Sequence, residues 1–252
     1  MRIKAAFLDF DGTLGEMRPS HFAAYRSAAA EHGIVVTEGA LAARELDDAW
    51  ARWMTPEGAL HRDESRSEAA FREVRIALAV DRLRAAVLHE SGAPADEGAL
   101  RRAGERAAEI EGDSSWYVLY DESMPALERL ALAGVEAVIV SNHVWRLPEI
   151  VRGLGAGAKF EGVVTSARVG ARKPHPLIFQ EALRLISARP EEIVMVGDSL
   201  SADVAGGERA GMRGVYLNRQ SDRQGDRRDR PSPEGVVTIR SLLEIPLEWP
   251  PA

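Results

Sequence analysis

The sequence predicts an α/β fold in which a parallel β-sheet is covered by helices on both faces and carries an all-helical insert. Short apolar runs of strand character recur along the chain: KAAFLDF (4–10), EAVIVSN (136–142), GVVTS (162–166), EIVMVGD (192–198) and GVYLN (214–218). Strands buried on both faces of a parallel sheet have this composition. In such sheets, ligands bind at the carboxyl ends of the strands.

Helical patterns separate the later strands and fill the insert. Those between strands cover 123–134, 145–155, 175–188 and 201–212, each bounded by Pro, Ser or Gly. From 17 to 115 no strand run interrupts the helical spacing, which predicts a helical domain at 17–115 and a core domain formed by 1–16 and 116–252. Because the insert begins just after the first strand, it is placed to close over the strand ends as a lid.

The composition favours a protein that binds small molecules. The 252 residues carry a net charge of −7, which argues against a nucleic-acid or anionic-membrane partner. The chain has no cysteine, which excludes disulfides, thiolate metal sites and cysteine nucleophiles and favours a reducing compartment. Since no apolar run is long enough to span a membrane, we expect a soluble cytoplasmic protein.

Two aspartates separated by one residue end the first predicted strand. Asp9 and Asp11 point to the same face of an extended chain, because side chains alternate along a strand. Two carboxylates this close repel each other, so either a cation lies between them or one keeps its proton and acts as an acid. Gly12 lets backbone amides approach an anion, and Thr13 adds a hydroxyl donor.

A second pair of acids, Asp198 and Asp203, accompanies the fourth strand run. Each alone is typical of a helix start, where a carboxylate caps or stabilises the first turn. Together with Asp9 and Asp11, however, they would bring four carboxylates to one edge of the sheet. Oxygen ligands of this kind are typical of Mg²⁺, which we expect as the cofactor, held by these four residues.

Three further polar residues favour an anion site at the same edge. Ser141 and Asn142 precede a helix, whose start can bind an anion. Lys173 lies before two prolines and is the only cation in the strand-end motifs. The four aspartates outweigh this lysine by three charges, so a phosphate dianion would be repelled unless a divalent metal were bound as well.

In this order, the segments DFDGT, SN, KP and GDSLSAD resemble the four motifs of the haloacid dehalogenase (HAD) superfamily of phosphohydrolases. The helical insert resembles the C1 cap of subfamily I. The run from Arg146 to Leu183 is similar to the phosphatase-like members of subfamily IA. The resemblance implies a Rossmann-like core with an inserted helical cap.

The resemblance also implies a role for each motif residue. Asp9 would be the nucleophile that forms an aspartyl-phosphate, and Asp11 would protonate the leaving oxygen and then activate water. Lys173 would stabilise the charge that Asp9 shares with the phosphate. The implied phosphate-binding residues are Phe10, Gly12, Thr13, Ser141, Asn142 and Lys173. The implied metal ligands are Asp9, the carbonyl of Asp11, Asp198 and, in support, Asp203.

The implied activity is Mg²⁺-dependent hydrolysis of a small phosphate monoester. Asp11 favours it over a 2-haloacid dehalogenase-like reaction, because dehalogenases of the superfamily lack an acid at this position and an alkoxide leaving group needs a proton. A phosphomutase stays open. So do two non-enzymatic alternatives, an inactive scaffold and a phospho-acceptor domain.

Substrate choice is expected to reside in the cap and in the linker that leads to it, and the partner is expected to be a small phosphorylated metabolite. Candidate contacts to the leaving group are Glu16, Arg18, His21, His143 and Trp145, with helix or loop packing as the alternative for each, and His61 and Arg62 could also face the cleft. Trp50 and Trp53 lie three apart on a predicted helix of the insert and are expected to belong to its core. The segment 218–235, rich in arginine and aspartate, is predicted to be a solvated loop. A monomer and a homodimer are both compatible with the sequence.

Overall fold

The computed structural model describes residues 1–43, 63–219 and 234–249. Its strands are β1 (Ala5–Leu8), β2 (Gly15–Met17), β3 (Tyr117–Leu119), β4 (Glu136–Ser141), β5 (Gly162–Thr165), β6 (Ile193–Gly197), β7 (Arg213–Leu217) and β8 (Val237–Ile239). Its α-helices are α1 (His21–Ala30), α2 (Glu38–Leu41), α3 (Glu68–Ser91), α4 (Glu97–Glu111), α5 (Ser123–Leu132), α6 (Leu147–Gly153), α7 (Ser166–Val169), α8 (Pro176–Leu183) and α9 (Ala205–Arg209).

The main sheet has the order β5–β4–β1–β6–β7–β8, and neighbouring strands are parallel throughout. β1 lies in the middle of the sheet, where Leu8 pairs with Ile139 of β4 and with Val196 of β6. The predicted α/β fold is confirmed. Because parallel strands end at the same edge, the residues that follow β1, β4 and β6 are neighbours in space.

Both faces of the sheet are buried, as the apolar runs predict. Successive residues of β1 point to opposite layers, so Phe7 packs with Val138 while Leu8 packs with Ile139. All four residues are at most 1% exposed. Packing on both faces therefore fixes the strands, and with them the residues at their carboxyl ends.

The insert has an apolar core of its own, formed mainly by α1, α3 and α4. Ser67 caps α3 by accepting a hydrogen bond from Ala70 N–H, and Gly92 ends the helix in the left-handed region with φ +66°. α3 and α4 pack closely at Gly104, where a Cβ would lie 2.7 Å from a methyl group of Val80. The predicted helical insert is present on both sides of the undescribed segment 44–62.

A short antiparallel ribbon, absent from the prediction, joins the two ends of the insert. Gly15 of β2 pairs with Leu119 of β3, and Met17 pairs with Tyr117. Each strand has three residues, too few for a pattern of alternation to be visible in the sequence. The predicted boundaries of the insert fall at this ribbon, and the division into two domains stays a prediction.

Other elements lie close to their predicted positions. The possible strand at 236–239 is present as β8, which pairs with β7. The helical pattern at 201–212 is a π turn over Leu200–Val204 followed by α9. None of the helices in the described ranges is long and apolar enough to cross a membrane. Trp50, Trp53, His61, Arg62 and the loop residues 220–233 lie outside the described residues.

Candidate active site

A cleft of about 890 Å³ lies between the carboxyl edge of the main sheet and the helical insert. Asp9, Asp11 and Gly12 line it from the end of β1, Asn142 and His143 from the end of β4, and Asp198 from the end of β6. The predicted convergence of the strand-end motifs therefore occurs in the structure. The insert closes the opposite side with residues of α1, α3 and α4, namely His21, Phe71, Arg75 and Glu111.

Lys173 joins two of the predicted aspartates at the bottom of the site. Its Nζ lies 2.8 Å from Oδ1 of Asp9 and 2.6 Å from Oδ1 of Asp203, and the lysine side chain is 1% exposed. Burial by itself lowers the pKa of Lys173, but the two carboxylates outweigh it, so the pKa is raised and the ammonium stays charged. Burial raises the pKa of Asp203, and Lys173 opposes that shift.

Asp9, Asp198 and Asp203 form a carboxylate cluster that fits a divalent metal. One carboxylate oxygen from each lies within 4.8 Å of the other two. Lys173 neutralises only one of the three negative charges, so the cluster has the oxygen donors and the charge that Mg²⁺ requires. The Asp11 side chain lies outside this cluster. Its implied contribution through a backbone carbonyl stays a prediction.

Two glycines make room for the acids of this cluster. A Cβ on Gly12 would overlap the carboxylate of Asp198, and one on Gly197 would overlap that of Asp203. Gly12 also has φ +76°, a conformation that other residues rarely adopt. A backbone donor also holds Asp203, because Ser199 N–H donates to its Oδ2 at 3.0 Å.

Asp11 lies two residues from Asp9 but in a different environment. Its side chain is 56% exposed toward the cleft, and its Oδ2 lies 3.4 Å from Nε2 of His143. The cleft walls limit its hydration and Asp9 repels a second negative charge; both effects outweigh Lys173 and raise its pKa to about 7. Two neighbouring carboxyl groups with such different surroundings are suited to two different chemical roles.

The backbone between Phe10 and Gly15 forms a tight turn. The N–H groups of Thr13, Leu14 and Gly15 all donate to Phe10 O, at 3.1, 2.9 and 3.0 Å. The Phe10 ring is fully buried and meets the His143 ring edge-on, with 5.4 Å between centroids. Among the described residues, the buried Thr13 hydroxyl has no hydrogen-bond partner. That free donor is compatible with its predicted contact to an anion.

The residues after β4 hold the lysine loop. Asn142 Nδ2 donates to Lys173 O at 3.0 Å, and Lys173 N–H donates to Asn142 Oδ1 at 2.7 Å. The bond to Lys173 O uses one of the two N–H groups on Asn142 Nδ2, so the predicted phosphate contact of Asn142 stays a prediction. Ser141 is buried at the end of β4, next to Thr165 of β5. The sequence contained no signal for the pairing of Asn142 with Lys173.

A buried ion pair forms the wall of the cleft on the insert side. Arg75 Nε donates to Glu111 Oε2 at 2.8 Å, and Tyr25 Oη donates to Glu111 Oε1 at 3.1 Å. Burial by itself would raise the pKa of Glu111, but Arg75 reverses the effect and the pKa is lowered. Both residues come from helical segments rich in charge, so the sequence did not distinguish them from surface residues.

The candidate leaving-group residues differ in position. Glu16, Arg18, His21 and His143 line the cleft, whereas Trp145 borders an adjoining crevice of about 100 Å³. Arg172 also lines the cleft and was not predicted. Burial lowers its pKa to about 9, and the nearby charge of Arg75 acts in the same direction. The cleft therefore has acids at the sheet edge, while its other walls carry arginines together with Glu16 and Glu111.

Known proteins with similar sequences are phosphatases and hydrolases. Phosphoserine phosphatase of Thermus thermophilus is 31% identical over 206 residues, which cover 79% of this chain and 72% of that protein. Glyceraldehyde 3-phosphate phosphatase of Methanopyrus kandleri is 39% identical over 102 residues, which cover 40% of this chain and 43% of that protein. The chain thus spans less than half the length of the second relative.

A solved structure shares the fold. YfnB of Bacillus subtilis, a HAD hydrolase determined with bound magnesium, aligns with a TM-score of 0.67 and 22% identity over 97% of both chains. A family model for haloacid dehalogenase-like hydrolases matches residues 3–211. This range contains every residue of the carboxylate cluster together with Lys173. The chain belongs to the family of haloacid dehalogenase-like hydrolases.

Proposed function

We propose that the protein is a Mg²⁺-dependent phosphatase that hydrolyses a small phosphate monoester through an aspartyl-phosphate on Asp9. The observation that carries the proposal is the contact of Lys173 with both Asp9 and Asp203, beside the carboxylate of Asp198. An aspartate in this position faces a cleft and has a cation to offset the charge of an incoming phosphate. The phosphatase names of two relatives support the same reaction.

In the first step, a carboxylate oxygen of Asp9 attacks phosphorus, and the bond between phosphorus and the leaving oxygen breaks. Asp11 donates a proton to that oxygen, so the product leaves as an alcohol. Burial and the charge of Asp9 raise its pKa to about 7 in the metal-free protein, which favours the protonated form that this step requires. In the second step, Asp11 takes a proton from water, which attacks phosphorus and releases inorganic phosphate from Asp9.

The other site residues position the phosphoryl group. Lys173 would offset its charge, and the Thr13 and Ser141 hydroxyls would bind its oxygens. Asp9, Asp198 and the carbonyl of Asp11 would hold Mg²⁺, with Asp203 in support through Lys173. Bound Mg²⁺ would supply positive charge that reduces the repulsion between phosphate and the aspartates and polarises the phosphoryl oxygens.

We propose a small, polar phosphorylated metabolite as the substrate and the cytoplasm as the location. The cleft of about 890 Å³ is the size of an ordinary small-molecule site. Arg18, His21 and Arg172 line the same cleft, where they could contact a polar leaving group. The helical insert 17–115 would serve as the cap that excludes water during the reaction.

The test is the release of inorganic phosphate from p-nitrophenyl phosphate and from a panel of alkyl phosphates, with Mg²⁺ and with EDTA. We expect Mg²⁺-dependent turnover in the wild type and a loss of at least about 1,000-fold in Asp9→Asn. Glu136→Gln, at the opposite end of the sheet, is the matched control and should keep full activity. A folded wild type that releases no phosphate from any ester would exclude a general phosphatase.

Asp11→Asn tests whether Asp11 protonates the leaving group, as ester hydrolysis requires. Nitrophenolate leaves without a proton, whereas an alkoxide needs one, so the variant should lose much more activity on alkyl than on aryl phosphates. An equal loss on both classes would argue against the role of Asp11 as an acid. Release of halide from 2-haloacids, or transfer of phosphate between sugar positions, would instead favour a dehalogenase or a phosphomutase.

A further inference from the structure

Arg219 contacts the turn that carries the paired aspartates from outside the four motifs. The residue follows β7 and belongs to the arginine-rich segment that the sequence predicted as a solvated loop. Its Nε donates to Gly12 O at 3.2 Å, and its Nη2 donates to Thr13 O. Its side chain is only 18% exposed. This arginine is therefore part of the packed structure.

The guanidinium of Arg219 is itself held on two sides. Its Nη1 pairs with Glu122 Oε1, and its carbon lies 4.3 Å from the centroid of the Tyr120 ring. Burial alone would raise the pKa of Glu122, but hydrogen bonds from Ser241 and Leu242, together with the charge and hydrogen bond of Arg219, outweigh burial and lower it. Glu122 is thus a fixed carboxylate that orients Arg219 toward the turn.

The contacted carbonyls lie where the backbone most needs support. Gly12 adopts φ +76° and lies against Asp198, and glycine loses more conformational freedom on folding than any other residue. The hydrogen bonds inside the turn engage N–H groups and the oxygens of Phe10 and Gly15. Tyr120 N–H and the Ser123 hydroxyl donate to the carbonyl of Leu14. Arg219 engages two further carbonyls of the turn, those of Gly12 and Thr13. A planar guanidinium can hold both at once in a defined geometry.

We propose that Arg219 is a positioning residue for the aspartate turn. By fixing the carbonyls of Gly12 and Thr13, it holds Asp11 and the Gly12 backbone in position relative to Asp9 and Asp198. It does not touch the reacting atoms. This inference rests on the proposed function only for its effect on turnover, since the effect on the turn itself can be measured without any substrate.

The first measurement is hydrogen–deuterium exchange of the peptide that covers the turn, in the full-length protein. Arg219→Met keeps an apolar chain over Tyr120 but removes both carbonyl contacts, so the amides of residues 12–15 should exchange faster. Arg219→Lys keeps the charge without the planar fork and should give an intermediate rate. Arg129→Met is the matched control, because Arg129 donates to the carbonyl of Ile245, away from the turn.

The second measurement is turnover of p-nitrophenyl phosphate by the same variants. We expect kcat to fall by about 10- to 100-fold in Arg219→Met, since small displacements of reacting groups cost this much, with a smaller change in KM. Arg129→Met should keep the wild-type kcat. Glu122→Gln, which keeps Arg219 but weakens its orientation, should show both effects in milder form.

The outcomes distinguish the two proposals. If folded Arg219→Met exchanges the amides of the turn at the wild-type rate, the positioning role is overturned. It is also overturned if those amides exchange faster while kcat stays at the wild-type value. Faster exchange together with reduced kcat, rescued in part by Arg219→Lys, would support it. If the turn exchanges faster but the wild type hydrolyses no phosphate ester, the structural role of Arg219 stands and the proposed function fails.

Discussion

The carboxylate of Asp198 occupies the space into which a side chain at Gly12 would project. The two residues are far apart in the chain and come from different strand ends. Because the contact leaves no room for even a methyl group, the turn after β1 and the acid after β6 can form their site only with glycine at this position. The contact joins the predicted nucleophile segment to the carboxylate cluster.

Gly12→Ala should therefore disrupt the proposed metal site. The new Cβ would displace Asp198 and would also strain a residue with φ +76°. We expect Mg²⁺ to raise the Tm of the wild type but not that of the variant, and we expect the variant to lose at least about 100-fold in kcat. Thermal unfolding with and without Mg²⁺, together with phosphate release, measures both effects.

Gly33→Ala separates backbone strain from the displacement of Asp198. Gly33 has φ +75°, but a Cβ there would meet nothing within 4 Å. This control should cost about 1 kcal/mol of stability and leave the response to Mg²⁺ unchanged. A Gly12→Ala variant with a wild-type Mg²⁺ response would contradict the prediction.

Asn142→Ala should reduce activity through Lys173. The change removes two hydrogen bonds to the backbone of Lys173, whose ammonium contacts Asp9. We expect about a 10-fold loss in kcat, together with about 1–3 kcal/mol of stability lost from unpaired backbone groups. In a Lys173→Met background the same change should cost no further activity, which a double-mutant cycle tests. Additive losses would show that Asn142 acts independently of Lys173.

Glu111→Ala should destabilise the insert strongly. The glutamate is 3% exposed and pairs with Arg75, so its removal leaves a buried cation without its partner. Breaking such a pair costs about 3–5 kcal/mol, which urea unfolding would detect. The double variant Glu111→Ala/Arg75→Met should recover part of that loss.

An exposed ion pair of the same insert provides the control for Glu111. Glu105 pairs with Arg101 one helical turn away, and both side chains are well exposed. Glu105→Ala should therefore leave the unfolding midpoint unchanged. Equal effects of the two substitutions would show that burial of the Arg75 pair contributes nothing.

His143 should contribute a loss of stability to the metal-free protein as pH falls. Burial lowers its pKa to about 4, although Asp9 and Glu111 act in the opposite direction. The unfolded value is about 6.5, so between pH 6.5 and 4 the unfolded chain binds more protons than the folded one. The contribution of His143 to stability therefore falls as pH falls through this range, by up to about 3 kcal/mol in total, while the raised pKa values of Asp11 and Asp203 act in the opposite direction.

The measurement is urea unfolding in EDTA from pH 8 to pH 4, for the wild type and His143→Gln. The variant lacks the titrating group, so the stability of the wild type relative to it should be constant above about pH 7 and fall below about pH 6.5. A difference that does not change with pH would show that His143 has the same pKa in both states.

Much of the core could be predicted because its signals are local. Asp9, Ser141 and Asp198 each follow an apolar run, and parallel topology brings all such ends to one edge. Lys173 could be predicted to lie at this edge because two prolines restrict its loop and because a bound phosphate requires a cation. The helices of the insert were visible for the same reason, since their periodicity lies within single segments.

Other features could not be predicted because they depend on contacts between distant segments. Arg219 and Gly12 are 207 positions apart, and the arginine resembled its neighbours in a polar loop. The ribbon of β2 and β3 joins three-residue strands at opposite ends of the insert. Arg75 and Glu111 come from separate helices, and only their packing shows that this pair is buried while other charges on the same helices are exposed.

The sequence by itself determined the order of strands and helices, the insert, and the set of acids and one lysine at the strand ends. It could do so because apolar periodicity and turn residues act over a few neighbouring positions. Only the tertiary structure decided that Lys173 joins Asp9 to Asp203, that Asn142 holds the lysine loop, and that Arg219 supports the turn at Gly12. These contacts depend on distances set by the packing of the whole sheet, which no local pattern records.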